Sequence, residues 1–221
     1  MIYLPVTFTL FLLFLLLFPF IWFAIALDVV ELAVAKLGFS PNTAFLLFIS
    51  MLVGSTINIP LYERVTTVPV IPGFSDLWTA RFWGIPLRRI EQKTIVALNV
   101  GGGLIPSLLA IYEFTRSDPF LLLLVTAIVT IVSYFSAQIV PGIGIQMNAL
   151  VAPLTAALVA TLVSPAPQPI AFAGGVLGTL IGADLLHLRE IEKMTPGVLS
   201  IGGAGVFDGI ALCGLFALLL T

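Results

Sequence analysis

The 65 residues from Pro119 to Ala183, PFLLLLVTAIVTIVSYFSAQIVPGIGIQMNALVAPLTAALVATLVSPAPQPIAFAGGVLGTLIGA, carry no charged side chain. A helix needs about 20 apolar residues to cross the hydrocarbon core of a bilayer, so this stretch has the length of three crossings. Helix breakers divide it at Pro141-Gly142-Ile143-Gly144 and at Ser164-Pro165-Ala166-Pro167-Gln168-Pro169. Working outward, residues 1–27 and 37–62 are also free of charge. Of the 221 residues, 60% are hydrophobic and 9% charged. A soluble domain carries roughly 25% charged residues, so nine Lys/Arg and eleven Asp/Glu cannot clothe a water-facing surface here. A net charge of −2 excludes a nucleic-acid partner, which needs a basic stripe. Cys213 is the single cysteine, so no internal disulfide forms, and no cysteine–histidine cluster suggests structural zinc. No cofactor is expected.

These features predict an all-α fold: one integral-membrane domain over residues 1–221, a transmembrane helix bundle in which glycine and proline interrupt some helices. Seven spans are expected at about 5–27, 42–61, 95–114, 120–140, 147–163, 170–188 and 198–220, the fifth being short. Leu4 to Leu27 ends in a cleavage-like Ala24-Ile25-Ala26. Its apolar stretch exceeds the roughly 7–15 residues of a signal core and no Lys or Arg precedes it, so it reads as a retained first span. The connections set the orientation. Arg64, Arg81, Arg88, Arg89, Lys93, Arg189 and Lys193 fall on one side of a seven-span topology, against Lys36 and Arg116 on the other. The N-terminus is therefore expected in the cytoplasm and the C-terminus outside, in a bacterial or archaeal cell membrane or an equivalent internal membrane.

Residues 62–94 form the one long connection, expected as a cytoplasmic or interfacial loop. Phe74, Trp78, Phe82 and Trp83 interleave there with Arg81, Arg88 and Arg89, as in an aromatic belt with cationic anchors. Arg64-Val65-Thr66-Thr67-Val68 has β-branched strand character, which Pro69 and Pro72 cut short.

Glycine supplies the next layer. Gly174, Gly178 and Gly182 repeat every four residues, as do Gly205 and Gly209, a spacing that lets membrane helices approach backbone to backbone. Beside them stand Asp184, in Gly182-Ala183-Asp184-Leu185-Leu186-His187-Leu188, and Asp208, in Gly202-Gly203-Ala204-Gly205-Val206-Phe207-Asp208-Gly209. Counted from residue 198, Asp208 lies about eleven residues into the last span, where an unpartnered carboxylate costs roughly 2.5–3.5 kcal/mol. On straight helices the two acids differ in depth by about 10 Å, and unwinding at Gly202–Gly205 would let them approach. At 100° per residue Asp184 shares its face with Ala173, Leu177, Leu180, Ile181 and His187, where no second polar partner stands.

Leu98-Asn99-Val100-Gly101-Gly102-Gly103-Leu104-Ile105-Pro106 and the two blocks around Asp184 and Asp208 resemble the recurrent blocks of a bacterial and archaeal family of uncharacterised membrane proteins, a domain of unknown function. The Asp184 and Asp208 blocks also resemble, more loosely, the intramembrane aspartyl proteases of the presenilin and signal-peptide-peptidase type. That resemblance implies a hydrolase of transmembrane peptides with Asp184 and Asp208 as its catalytic pair, one acid protonated and the other activating water. Val206-Phe207 stand between Gly205 and Asp208 where that type has glycine directly before the acid.

The residues also fit an ion-coupled transporter or channel. Gly101-Gly102-Gly103 with Pro106, and Pro141–Gly144, would break helices and expose backbone groups to a substrate. Asn58, Asn99, Gln138, Gln146 and Asn148 would supply side-chain ligands, and Asp208 the proton or cation site. Asn99, Gly101, Gly102, Gly205 and Gly209 are the candidate substrate-binding positions. Leu98–Ala110 weakly echoes Leu199–Ala211, setting Gly101-Gly102 over Gly202-Gly203. Asp184, His187 and Asp208 as metal ligands is a third possibility, although the His-Glu-x-x-His of intramembrane metalloproteases is absent; no metal site is expected. A scaffold or assembly factor bound to other membrane proteins completes the set, with the lipid bilayer a partner in every case. The topology predicts that tags after Met1 and in the 62–94 loop are protected from protease added to right-side-out vesicles, while a tag after Thr221 is cleaved. Cleavage within the 62–94 loop would reverse the orientation.

Overall fold

A computed structural model of the chain describes residues 6–69, 89–140, 144–190, 197–203 and 209–221. The described elements run α1 (Val6–Lys36), α2 (Pro41–Gly54), β1 (Asn58–Pro69), β2 (Arg89–Asn99), α3 (Ile105–Phe114), α4 (Pro119–Ser136), β3 (Gln138–Val140), β4 (Gly144–Gln146), α5 (Val151–Val163), α6 (Pro167–Thr179), β5 (Gly197–Ile201) and α7 (Gly209–Leu220). A π-helical turn, Val100–Leu104, leads into α3, and a second, Leu180–Leu185, continues α6.

Three stretches, Phe8–Lys36, Pro119–Ser136 and Pro167–Glu190, are helices long and apolar enough to cross a membrane. The other apolar helices are shorter. At 1.5 Å per residue the 13 residues of α5 reach about 20 Å, against a hydrocarbon core of about 30 Å. Of the seven expected spans, the first, fourth and sixth are thus helices of crossing length, and the described residues hold seven helices of unequal length.

The all-α expectation gives way as well, because strands occupy ground assigned to spans. The second span was expected to reach residue 61, but α2 ends at Gly54 and β1 begins at Asn58. The third was expected from residue 95, yet 95–99 belong to β2. The last was expected from residue 198, yet 198–201 belong to β5. A short continuous apolar run such as Ile95-Val96-Ala97-Leu98 suits a buried strand as well as a helix, and pairing decides. β1 and β2 pair antiparallel from Asn58↔Asn99 to Pro69↔Arg89, with a register irregularity between Pro60 and Tyr62. β5 adds parallel to β2 from Thr94↔Gly197 to Leu98↔Ile201, giving the order β1–β2–β5. The β-branched strand expected at 64–68 is present and extends back to Asn58. Phe74, Trp78, Arg81, Phe82, Trp83 and Arg88 lie outside the described residues.

The central position falls to α6, which packs against α3, α4, α5 and α7. Its glycine stripe explains how. A Cβ at Gly174 would come within 2.6 Å of Val125 and one at Gly178 within 2.6 Å of Val129, while one at Gly182 would collide with the carbonyl oxygen of Thr130. The stripe thus lets α6 and α4 approach at backbone distance, and most of the Pro167–Glu190 helix is buried. On one side Phe172, Ala173 and Val176 join Leu122, Ile210 and Leu218 in the core; on the other Ile170 and Ala171 join Val125, Val129, Ala156 and Cys213.

Polar groups finish the helix ends. Ser40 caps α2, accepting from the Thr43 N–H at 3.3 Å. Asp118 caps α4 by accepting from the N–H groups of Phe120 (2.8 Å) and Leu121 (3.3 Å). Lys36 donates to the last carbonyls of α7, Leu218 at 2.8 Å and Leu219 at 3.3 Å; Arg116 donates to the Leu37 carbonyl at 3.0 Å. These bonds gather the α1–α2 and α3–α4 turns and the end of α7 at one end of the bundle. The sheet, the β3–β4 hairpin and both π-turns sit at the far ends of the same helices.

At that far end backbones meet directly. β2 runs into Gly101-Gly102-Gly103 and β5 into Gly202-Gly203, so the two glycine clusters follow adjacent parallel strands. Leu98 stands opposite Ile201, two positions from the alignment that the sequence echo suggested. Gly202 has φ +68°, and a Cβ there would come within 2.5 Å of Gly103 N. A Cβ on Gly101 would collide with the Met51 carbonyl oxygen. Gly101→Ala is expected to destabilise the protein by about 1–3 kcal/mol, read as a lowered unfolding midpoint of the purified protein in detergent. An unchanged midpoint would show that this approach is dispensable.

Candidate functional site

Asp184 owes its position to the π-turn. The Leu186 N–H donates to the Ile181 carbonyl at 3.0 Å, an i→i+5 bond, and each such turn inserts extra backbone relative to an α-helix. The apolar face expected for Asp184 assumed 100° per residue along the whole span, and that phase ends at Thr179. Beyond it the half-buried Asp184 lines a cavity of about 630 Å³ together with Ser136, Gln138, Gln146, Asn148 and Thr179. The carboxylate is thus in polar company.

Each of these neighbours is placed by an interruption in a helix. α4 stops at Ser136, where the Ala137 N–H closes the last turn on Ser133 O at 2.9 Å and the backbone becomes extended. Gln138 and Gln146 then face each other across the β3–β4 hairpin. The hairpin strands replace what was expected to be the end of the fourth span. Asn148 accepts from the Leu150 N–H at 3.0 Å, a turn that sets up α5 at Val151 rather than at the expected 147. Ile210 and Leu212 of α7 supply an apolar wall. Thr179 is 2% exposed, and its hydroxyl finds no nitrogen or oxygen partner among the described residues.

Of the polar set read from the sequence, Gln138, Gln146 and Asn148 therefore converge on Asp184. Asn58 and Asn99 instead belong to a network at the sheet. The fully buried Asn99 donates from Nδ2 to Ser55 O (2.8 Å) and Asn58 Oδ1 (3.1 Å), and its Oδ1 accepts from the Gly102 N–H at 2.9 Å. Ser200 Oγ donates to the same Asn58 Oδ1. Asn99 so caps the turn that carries the buried Gly101 and Gly102. Gly209 opens α7, whereas Gly205 and Asp208 lie outside the described residues, as does any pairing of Asp184 with Asp208. The eleven-residue depth reckoned for Asp208 does not apply, since residues 197–201 form a strand and α7 begins only at Gly209. Ser136 and Thr179 were not singled out in the sequence. Their one signal is a hydroxyl in an otherwise apolar run, which helices commonly absorb by bonding to their own backbone.

His187 has a structural task. Its Nδ1 lies 3.1 Å from the Gly182 carbonyl oxygen and 3.0 Å from that of Ala183. Carbonyls only accept, so Nδ1 carries the proton and donates to both. The ring is buried and stacks on Tyr134 at 4.6 Å between centroids. Among the described residues no group of three or more His, Cys, Asp or Glu is placed to hold a metal.

Among the described residues the cavity offers the Asp184 carboxylate, which attracts positive charge, and the primary amides of Gln138, Gln146 and Asn148, which donate and accept. It can hold a small polar ligand by several hydrogen bonds and favours one with a cationic group.

Compared with known proteins, residues 52–220 match the model of a family described as "Protein of unknown function (DUF1614)". No curated protein and no solved structure matches the chain. The bonding of His187 predicts that His187→Leu lowers stability by about 1–3 kcal/mol, because two π-turn carbonyls lose their donor. His187→Asn, which keeps an N–H near the Nδ1 position, should recover much of the loss in the same thermal unfolding measurement. Equal losses in both variants would assign the effect to the Tyr134 stack instead.

Proposed function

The chain belongs to the DUF1614 family, and on that premise we propose that it is an integral membrane protein of the carrier type, binding a small polar or cationic solute at Asp184. The observation that carries this is the convergence of Gln138, Gln146, Asn148 and Asp184 on one cavity, each from a place where a helix is broken. Interrupted helices that put polar groups around a cavity are how membrane carriers expose ligands for ions and solutes. The three long apolar helices and the lipid-like surface of α1 support membrane embedding, with the N-terminus and the β1–β2 hairpin on the cytoplasmic side. A hydrolase using Asp184 and Asp208 would need the two acids side by side, and Asp208 lies outside the described residues. The amides and hydroxyls that line the cavity with Asp184 support a binding role.

The test is flux into proteoliposomes containing the full chain, with a panel of inorganic monovalent cations and small amines. Asp184→Asn is expected to reduce the flux of the accepted solute at least about tenfold, while Asp28→Asn, on the exposed face of α1, leaves it unchanged. Equal flux through the Asp184→Asn protein, or no flux above empty vesicles for any solute in the panel, would overturn the assignment.

A further inference from the structure

A second cavity lies behind α7. Its volume is about 620 Å³, within the range of small-molecule pockets, and its lining is almost wholly apolar. Ala33, Val34, Phe48, Phe172 and Leu218 form its buried floor. Trp22, Ile25 and Leu52 stand at its edge and are exposed, at 53%, 52% and 38%. α1 continues from this edge as a helix apolar on all faces, with every residue from Phe8 to Phe23 exposed. Such a helix suits lipid rather than water, so the groove opens sideways toward the region where hydrocarbon would be. Leu212 lines both cavities. The polar chamber holding a carboxylate and the apolar groove thus meet at α7, with Leu212 at both.

We propose that the two cavities are one site for a single amphiphile with a protonated amine head and a hydrocarbon tail. The inference rests on the polar cavity's being a binding site and names the class of ligand it takes. Two observations select this occupant. Charge complementarity sets the head, because Asp184 attracts a cation and repels a carboxylate or phosphate, while the neighbouring amides accept the remaining ammonium hydrogens. Continuity sets the tail, because the groove begins at Leu212, against the polar chamber, and ends beside the bare helix α1. The amphiphile enters from the bilayer past Trp22, and rotation of Leu212 joins the chambers.

Trp22 supplies the readout. In the full chain carrying Trp78→Phe and Trp83→Phe, Trp22 is the remaining tryptophan. In lipid nanodiscs, 12-bromododecylamine is expected to quench it saturably, beyond the quenching by 1-bromododecane at the same mole fraction in lipid. Asp184→Asn should raise the half-saturating mole fraction about tenfold. Ala211→Phe, which fills the groove, should do likewise; if that protein does not fold, Ala26→Leu replaces it. Butylamine, a head without a tail, should raise the unfolding midpoint of the Asp184 protein but not of Asp184→Asn, and Ala211→Phe should leave this effect intact. If 12-bromododecylamine quenches no more than 1-bromododecane while butylamine still responds to Asp184→Asn, the joined site is wrong and the polar site stands. If neither amine responds to Asp184→Asn, both fall.

Discussion

The backbone approach of α6 to α4 is the constraint on which the other features rest. Gly174, Gly178 and Gly182 remove the side chains that would hold the two helices apart, and the valines and Thr130 backbone of α4 fill the space. Dispersion between closely packed atoms falls off steeply with separation, so this contact works only at glycine distance. It also brings the far end of α6 alongside the point where α4 stops. The π-turn, with Asp184 on it, and the hairpin, with Gln138 and Gln146 on it, are neighbours because the glycine stripe runs up to Gly182 itself.

Two regions of broken secondary structure lie at the same end of the bundle and solve their backbone problem differently. At the sheet, Asn99 bonds Ser55 O and the Gly102 N–H, the strands pair, and the Gly101–Gly103 and Gly202 backbones close over one another. That region is a structural knot. At the π-turn, His187 satisfies two carbonyls, but the Asp184 side chain and three amides face an open chamber. This contrast supports the proposal that a ligand binds in the polar chamber rather than at the glycine-rich turns beside the sheet.

The turn end of the bundle shows the reverse economy. Lys36, Arg116 and Asp118 stand at or between helix ends, and charge in an apolar chain usually marks a boundary. They do mark one, but each also bonds backbone groups that the helix ends leave open. Sequence position alone could not tell a solvated charge from a capping one, since both occur between spans.

What the sequence determined by itself was set by composition and by steric exclusion. Apolar runs of this length require a membrane-like setting, Pro and Gly stop helices wherever they fall, and glycines four apart on one helix face permit close packing. The places of the breaks near residues 141 and 165, the glycine contact of α6 and the strand character of 64–68 were legible for those local reasons. The tertiary structure alone decided what lay beyond local chemistry. Ile95–Leu98 and Val198–Ile201 became strands because each found the other in register, a pairing across about 100 residues that no window can see. Asp184 turned from an apolar face to a polar one because α6 continues into a π-turn, and one inserted residue changes the direction of every side chain after it.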